Sequence, residues 1–326
     1  MIFLKKGGCF LQFTVVDGHC DSILDVSNGL RSLAEKSDTG HLDFYRMQNN
    51  IDLQLMAIFI ENQYKPHNIL IKTLELINLL DEQISQVNFV HKILNKKHVE
   101  EFSNSTVKVL LTVEGGDSLT GSIRVLRCLF NLGVRSLTLT WNNRNEIGDG
   151  CAEDPGGYGL SKFGKKVIWE MNKLGMLIDV SHLAEQGFWD VLNTTNMPII
   201  ASHSCCKKIF DHPRNLSDQQ LKALAENQGV IGINFYPYFL SDKPHDASID
   251  DVIKHIIHAS NIMGTEHVGL GSDFDGIDKV PKGLEDVTKI RDLITKLKEV
   301  GFSKVEIANI MGNNYLRVLK KVLPNE

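Results

Sequence analysis

The chain has 326 residues, 42% hydrophobic and 23% charged, with 35 Lys plus Arg against 40 Asp plus Glu, a formal charge of −5. That balance is ordinary for a soluble globular enzyme and argues against nucleic acid as a partner. No apolar run is long enough to span a bilayer, and the length suits two average domains or one large α/β barrel.

The opening MIFLKKGGCFLQF places only Met1 to Leu4 before two lysines, so a signal-peptide hydrophobic core is missing. Cys9 follows two glycines, but the lead before it is too short for a lipoprotein site. The closing VLKKVLPNE carries no apolar tail for a lipid anchor. Six cysteines (Cys9, Cys20, Cys128, Cys151, Cys205, Cys206) form no CxxC pair and no regular spacing. Reduced thiols and a cytoplasmic location are expected.

In chain order, eight short apolar runs each break at a polar or glycine-rich turn. They are FTVVDGHCD (13–21), IDLQLMAIFIE (51–61), VKVLLTVEGGD (107–117), RSLTLTWNN (135–143), GMLIDVSH (175–182), MPIIASHS (197–204), GVIGINFY (229–236) and HVGLGSDFDG (267–276). Helix-period segments lie between them. Ser122 to Leu132 has Ile123, Leu126, Leu129 and Phe130 on one stripe, and Ser161 to Leu174 ends at Gly175. Ser217 and Gln220 form a capping box before Gly229, and Ser248 to Met263 ends at Gly264. Apolar strands alternating with helices imply a parallel sheet covered on both faces. Eight of them predict an α/β fold of the (β/α)8 TIM-barrel type, a single domain over residues 1–326, with a doubly wound open sheet as the alternative. A long helical stretch, Asn68 to Phe102, is the largest departure from a minimal barrel.

Barrel active sites lie at the C-terminal ends of the strands. The first run ends in His19 and Asp21, the third in Glu114, the fifth in His182, the sixth in His203 and the eighth in Asp273. Residues two apart in an extended chain point the same way, so His19 and Asp21 project together and Cys20 points elsewhere. The other nine histidines behave differently. His91 and His98 fall in the long helical stretch, His255 and His258 on a later helix, and His41, His67, His212 and His245 in connections. His267 precedes its strand, on the opposite rim. These nine are expected to be solvated or packed in the core.

Imidazoles and carboxylates converging on one rim suit a divalent metal. His19, Asp21, Glu114, His182 and His203 are too many for one catalytic zinc that keeps an open position. They fit two ions, with Glu114 bridging, and paired ions can activate a shared water and polarise a substrate oxygen. Asp273 is then free to act as general base and acid.

These residues give the chain a resemblance, nearly end to end, to the membrane (renal) dipeptidase family of zinc dipeptidases, and within it to cytoplasmic bacterial-type members. DGHCD, TVEGGD, LTLTWNN, GLSKFGKKVIWEMNKLGMLIDVSH, ASHSCCKKIFDHPRNLSDQQL, VIGINFY, HVGLGSDFDG and MGNNYLRVL carry it, with 21 residues separating His182 from His203. The resemblance implies a (β/α)8 barrel with two Zn2+, for which Mn2+, Fe2+ or Co2+ could substitute. It implies that His19 and Asp21 hold one ion, His182 and His203 the other, and Glu114 both, with Asp273 handling the proton. It places Arg214, eleven residues after His203, on the arginine that grips the substrate carboxylate, as a guanidinium can do bidentately. Tyr236 is a further substrate-contact candidate. It also implies dipeptide substrates, including some with a C-terminal D-residue, and an association of two copies.

One departure stands out. Where the best-known members carry a histidine after LTLT, this chain has Trp141, as related bacterial sequences do. An indole donates one hydrogen bond and carries no charge, which leaves the oxyanion partner open to Asn142, Asn143 or a backbone amide. The nearest rival activity is another amidohydrolase, acting on a lactone, phosphotriester, cyclic amide or β-lactam. Such enzymes usually begin with HxH and bridge with a modified lysine, whereas this chain has HxD and Glu114. A non-catalytic peptide-binding barrel is the rival from another class, with Trp141 as its support.

Overall fold

The computed structural model describes residues 4–5, 12–101, 106–153 and 157–326; Cys9 and Phe102, named above, lie outside them. Eight parallel strands close on themselves: β1 (Val16–Asp17), β2 (Leu53–Phe59), β3 (Val107–Glu114), β4 (Val134–Thr138), β5 (Leu177–Asp179), β6 (Ile200–Ser204), β7 (Val230–Asn234) and β8 (Val268–Gly271). Each pairs with the next, and β8 returns to β1 through Leu270 and Asp17. The expected TIM-type barrel is the fold. Its strands are buried apart from Phe59 at the end of β2, which explains why they read as apolar runs rather than alternating ones.

Helices α1 (Ile69–Ser85), α2 (Ile123–Asn131), α3 (Lys162–Leu174), α4 (Glu185–Thr194), α5 (Asp218–Glu226), α6 (Ile249–Met263), α7 (Asp292–Glu299) and α8 (Asn314–Val322) cover it. The punctuation operates as its chemistry predicts. Ser161 caps α3 by accepting from the Gly164 amide, and Gly175 ends it at φ 76°. Ser217 with Gln220, and Ser248 with Asp251, form reciprocal capping boxes at α5 and α6.

The stretch from Asn68 is not helical throughout. After α1 a short strand, Val90–Lys92, pairs with the foot of β3, and a five-residue helix, Lys96–Glu100, follows. The segment sets Val90 beside Val107 and Lys92 beside Val109, below Leu111, where β4 joins β3. His91 therefore sits on a strand and His98 on the short helix.

The barrel floor is closed by the C-terminal helix. Tyr315 of α8 is fully buried and its hydroxyl donates to the Ser202 carbonyl at 3.2 Å. A Cβ on Gly18, Gly232 or Gly269 would lie 2.1, 2.3 or 2.6 Å from that ring or hydroxyl. Glycines on these strands thus make room for an inserted aromatic ring. Val16, Leu53, Leu110, Ile200 and Val230 join Leu316 and Leu319 in the same buried cluster. With its floor sealed, the barrel opens at the other rim.

Candidate active site

That rim holds a cavity of about 620 Å³, walled by Phe59, Trp141, Tyr236, Phe239 and Ile277, with Glu114, Asp273 and Arg214 among its polar groups. Strand ends deliver them. Glu114 is the last residue of β3, level with Phe59 of β2 in the ladder. His203 lies within β6, and His182 and Asp273 lie just beyond β5 and β8. Both of the latter have positive φ, 67° and 62°, a costly backbone for non-glycine residues that is commonest at functional sites.

His19, Asp21, Glu114, His182 and His203 converge, all at most 8% exposed. His19 Nε2 lies 3.3 Å from Asp21 Oδ2 and 3.4 Å from Glu114 Oε2. The other Glu114 oxygen, Oε1, lies 3.0 Å from His182 Nε2 and 3.6 Å from His203 Nε2. One carboxylate therefore faces two donor groups, one with each oxygen. His19 and Asp21 project together as expected, while Cys20 is turned into the core. A second grouping joins His19 and Asp21 to Asp273, with one ligand atom from each within 4.8 Å of the others.

Several of these atoms lack hydrogen-bond partners. His19 Nδ1 and Nε2 and Asp21 Oδ1 are buried with none among the described residues, an arrangement costly in a protein interior unless another group binds there. The field is that of a cation site. Burial opposes a charge on His19, yet Glu114 and Asp21 outweigh it and hold the imidazole pKa well above its usual range. Burial pushes the Asp21 carboxyl up to about 7. Burial also opposes ionisation of Glu114, but His19 and His182 overcome it and lower its pKa. His182 is brought down to about 4 and His203 is lowered further, first by burial and then by neighbouring cations. His182 and His203, kept neutral, with His19 drawn toward positive charge by its carboxylates, make a donor set of the kind that divalent transition metals take.

Asp273 Oδ2 accepts from Asn234 Nδ2 at 2.9 Å, and burial raises its pKa. Arg214 is 5% exposed; its guanidinium donates to the His203 carbonyl at 3.0 Å and lies 5.4 Å from the Phe239 ring. Among the described residues its Nε has no hydrogen-bond partner. Tyr236 packs on Phe239 at 4.9 Å between ring centroids. Trp141 stands 5.3 Å from Phe59 and 6.1 Å from His182. All nine residues singled out in the sequence belong to this one rim.

Sequence reasoning missed others. His212, expected in a plain connection, lines the cavity and packs 4.5 Å from Phe239. Asn234 and Gly276 also went unassigned. A Cβ on Gly276 would sit 2.1 Å from Asp21 Oδ2 and 2.6 Å from Asp273 Oδ1. The glycine in GSDFDG was a visible signal, but the close approach it permits joins residues some 250 positions apart.

Comparison with known proteins identifies the family. The profile of the membrane dipeptidase family (peptidase family M19) matches residues 9–325. An uncharacterized dipeptidase of Schizosaccharomyces pombe is 35% identical, over 95% of this chain and 81% of its own length. A dipeptidase of Aspergillus oryzae is also 35% identical, over 87% of this chain and 70% of its own. Among solved structures, the dipeptidase AC, a family M19 metallopeptidase, superposes with a TM-score of 0.89 at 27% identity, covering 95% of this chain and 99% of its own. A Rhodobacter sphaeroides metallopeptidase liganded with a phosphinate mimic of L-Ala-D-Ala gives the same score and coverage at 25% identity. The chain belongs to the membrane dipeptidase family, peptidase family M19.

Proposed function

We propose that this chain is a binuclear metal-dependent dipeptidase whose single barrel domain spans residues 1–326. One observation carries the reading: Glu114 turns one oxygen to His19 and the other to His182 and His203, beside a buried arginine whose Nε has no partner among the described residues. His19 and Asp21 would hold one divalent cation, His182 and His203 a second, and Glu114 both, with zinc as the proposed ion. Two such ions supply a water acidified to near-neutral pH and a polarised scissile carbonyl.

The chain's own residues do the rest. Arg214 binds the free carboxylate of the substrate, which fixes the peptide bond in place and disfavours longer peptides. Asp273 takes a proton from the attacking water and delivers it to the leaving amine. Asn234 orients that carboxylate from its other side, and a burial-raised pKa suits an acid that must hold a proton near neutral pH. Phe59, Trp141 and Tyr236 provide apolar walls for the substrate side chains. The L-Ala-D-Ala mimic bound by the Rhodobacter relative supports acceptance of a C-terminal D-residue.

No helix of the described residues is long and apolar enough to cross a membrane. Five described cysteines are free thiols, which suits the proposed cytoplasmic location. A homodimer is proposed from family resemblance, and light scattering tests it. Hydrolysis by metal-stripped protein, with and without added zinc, tests the activity on matched L,L and L,D dipeptides and their C-terminal amides. Zinc-dependent cleavage of the free acids that fails on the amides is expected; no cleavage of any by the zinc-loaded protein would sink the assignment.

A further inference from the structure

We infer that Asn142 and the Ser202–Asp179 pair are positioning residues, which hold His182 and His203 in the Nδ1–H tautomer and thereby aim both Nε2 lone pairs at one cation. The inference rests on the proposed reading only in taking these two histidines as ligands.

Proton accounting fixes the His203 tautomer. Asp179, the last residue of β5, is 1% exposed. It accepts the backbone N–H groups of Ser181 at 3.0 Å and Ser202 at 2.9 Å. It also accepts the hydroxyls of Thr138 at 2.6 Å and Ser202 at 2.5 Å. A carboxylate serving four donors is itself an acceptor throughout. The one hydroxyl hydrogen of Ser202 is thus committed to Asp179. Ser202 Oγ also lies 2.8 Å from His203 Nδ1, where it can only accept. The Nδ1 atom must carry the proton, and the backbone N–H of His203 is tied to Ser181 Oγ at 3.0 Å.

His182 reaches the same state by another route. Its Nδ1 lies 2.7 Å from Asn142 Oδ1, an atom with no hydrogen to give. The Cys151 thiol donates to that same oxygen at 3.4 Å, which agrees with the oxygen facing inward. The Cys151 amide donates to the His182 carbonyl at 2.7 Å, so ring and backbone are clasped together.

A consequence follows at the two Nε2 atoms, which stand 2.8 Å apart. With both protons on Nδ1, no hydrogen lies between them. Two lone pairs at that distance repel unless a cation lies beside them, and Glu114 Oε1 is already aimed at both. Hydrogen-bond partners on the far nitrogen commonly orient a metal-binding imidazole in this way.

The test is ¹⁵N NMR of histidine-labelled, metal-free protein, joined to zinc affinity by chelator competition. His182 and His203 should both show the neutral Nδ1–H pattern. Ser202→Ala should release His203 to the other tautomer and weaken zinc binding about 10- to 100-fold, with Ser202→Thr restoring both. Asn142→Ala should do the same at His182, with Asn142→Asp restoring it; it serves alone if Ser202→Ala fails to fold by circular dichroism. An Nε2–H pattern in the wild-type protein, or folded alanine variants that bind zinc as tightly as wild type, would overturn the inference. The expected tautomers and zinc binding without dipeptide hydrolysis would support it while sinking the dipeptidase reading.

Discussion

Arg214 is a buried guanidinium that hydrogen-bonds a carbonyl and faces the cavity, so its charge is best answered by an anionic ligand. Arg214→Ala is expected to lower kcat/KM for dipeptides about 100-fold, mostly through KM, since a charged hydrogen-bonded pair is lost. Arg214→Lys should recover only part of it, because an ammonium lacks the planar fork; full activity in the lysine variant would contradict this role. Gly276 makes a second residue-scale case. Its added methyl would meet both Asp21 and Asp273, so Gly276→Ala should cut zinc affinity at least about tenfold while the fold survives by circular dichroism. Unchanged zinc binding would show that the loop yields. The histidines and carboxylates of the rim were legible because each ends an apolar run, whereas Arg214 was reached only through the family resemblance. Asn234, Ser202 and Asp179 were not, since a polar residue in a strand gives no sign of which neighbour it will meet. Trp141 reads the same way: its type was visible, but not its place between Phe59 and His182.

Between residues and fold, the loops after β1 and β8 are joined into one element. The Asp21 amide donates to the Phe274 carbonyl at 2.9 Å, and the Asp273 amide to the His19 carbonyl at 3.2 Å. Arg31 locks them from outside, 2.7 Å from Asp25 and 2.6 Å from Asp275, with 3% of its side chain exposed. Arg31→Leu would strand Asp275 without its counter-charge and should cost about 3–5 kcal/mol in urea unfolding; a change below about 1 kcal/mol would show that Ser22 and His41 suffice to hold it. Helix α6 contributes a pH-dependent contact. His255 is fully buried, accepts the Cys206 amide at 3.0 Å on Nδ1 and donates from Nε2 to the Leu240 carbonyl at 3.0 Å. Burial lowers its pKa to about 4. The unfolded chain therefore takes up a proton first, and stability present above pH 6.5 is lost as pH falls toward 4, about 2 kcal/mol of it by pH 5. His255→Asn should flatten that slope; an identical slope would assign the loss elsewhere. Helix caps were readable from Ser, Gln and Gly spacing because those interactions are local. The short strand Val90–Lys92 was hidden by the strong helical period before it, and only its partner β3 decides its state.

At the scale of the molecule, the eight-run pattern pointed to a parallel sheet covered on both faces, which an open doubly wound sheet would satisfy as well; the pairing of β8 with β1 is what closes the barrel. What the pattern did not reveal is how the floor closes. Tyr315 enters beneath β1, β7 and β8 through space left by glycines far apart in the chain, a fit that no local signal encodes. Sealing one end leaves a deep rim, where β1, β3, β5 and β6 contribute the proposed ligands, β8 contributes Asp273 and β7 contributes Asn234. That architecture makes the site a property of the whole barrel, so removing bound metal should lower the melting temperature as well as activity. The most direct measurement is to titrate zinc into metal-free protein while following hydrolysis of an L,D dipeptide. The account predicts negligible turnover without metal and a rise that is complete only at two equivalents per chain. Turnover that saturates at one equivalent, or persists with none, would contradict a site in which Glu114 serves two ions.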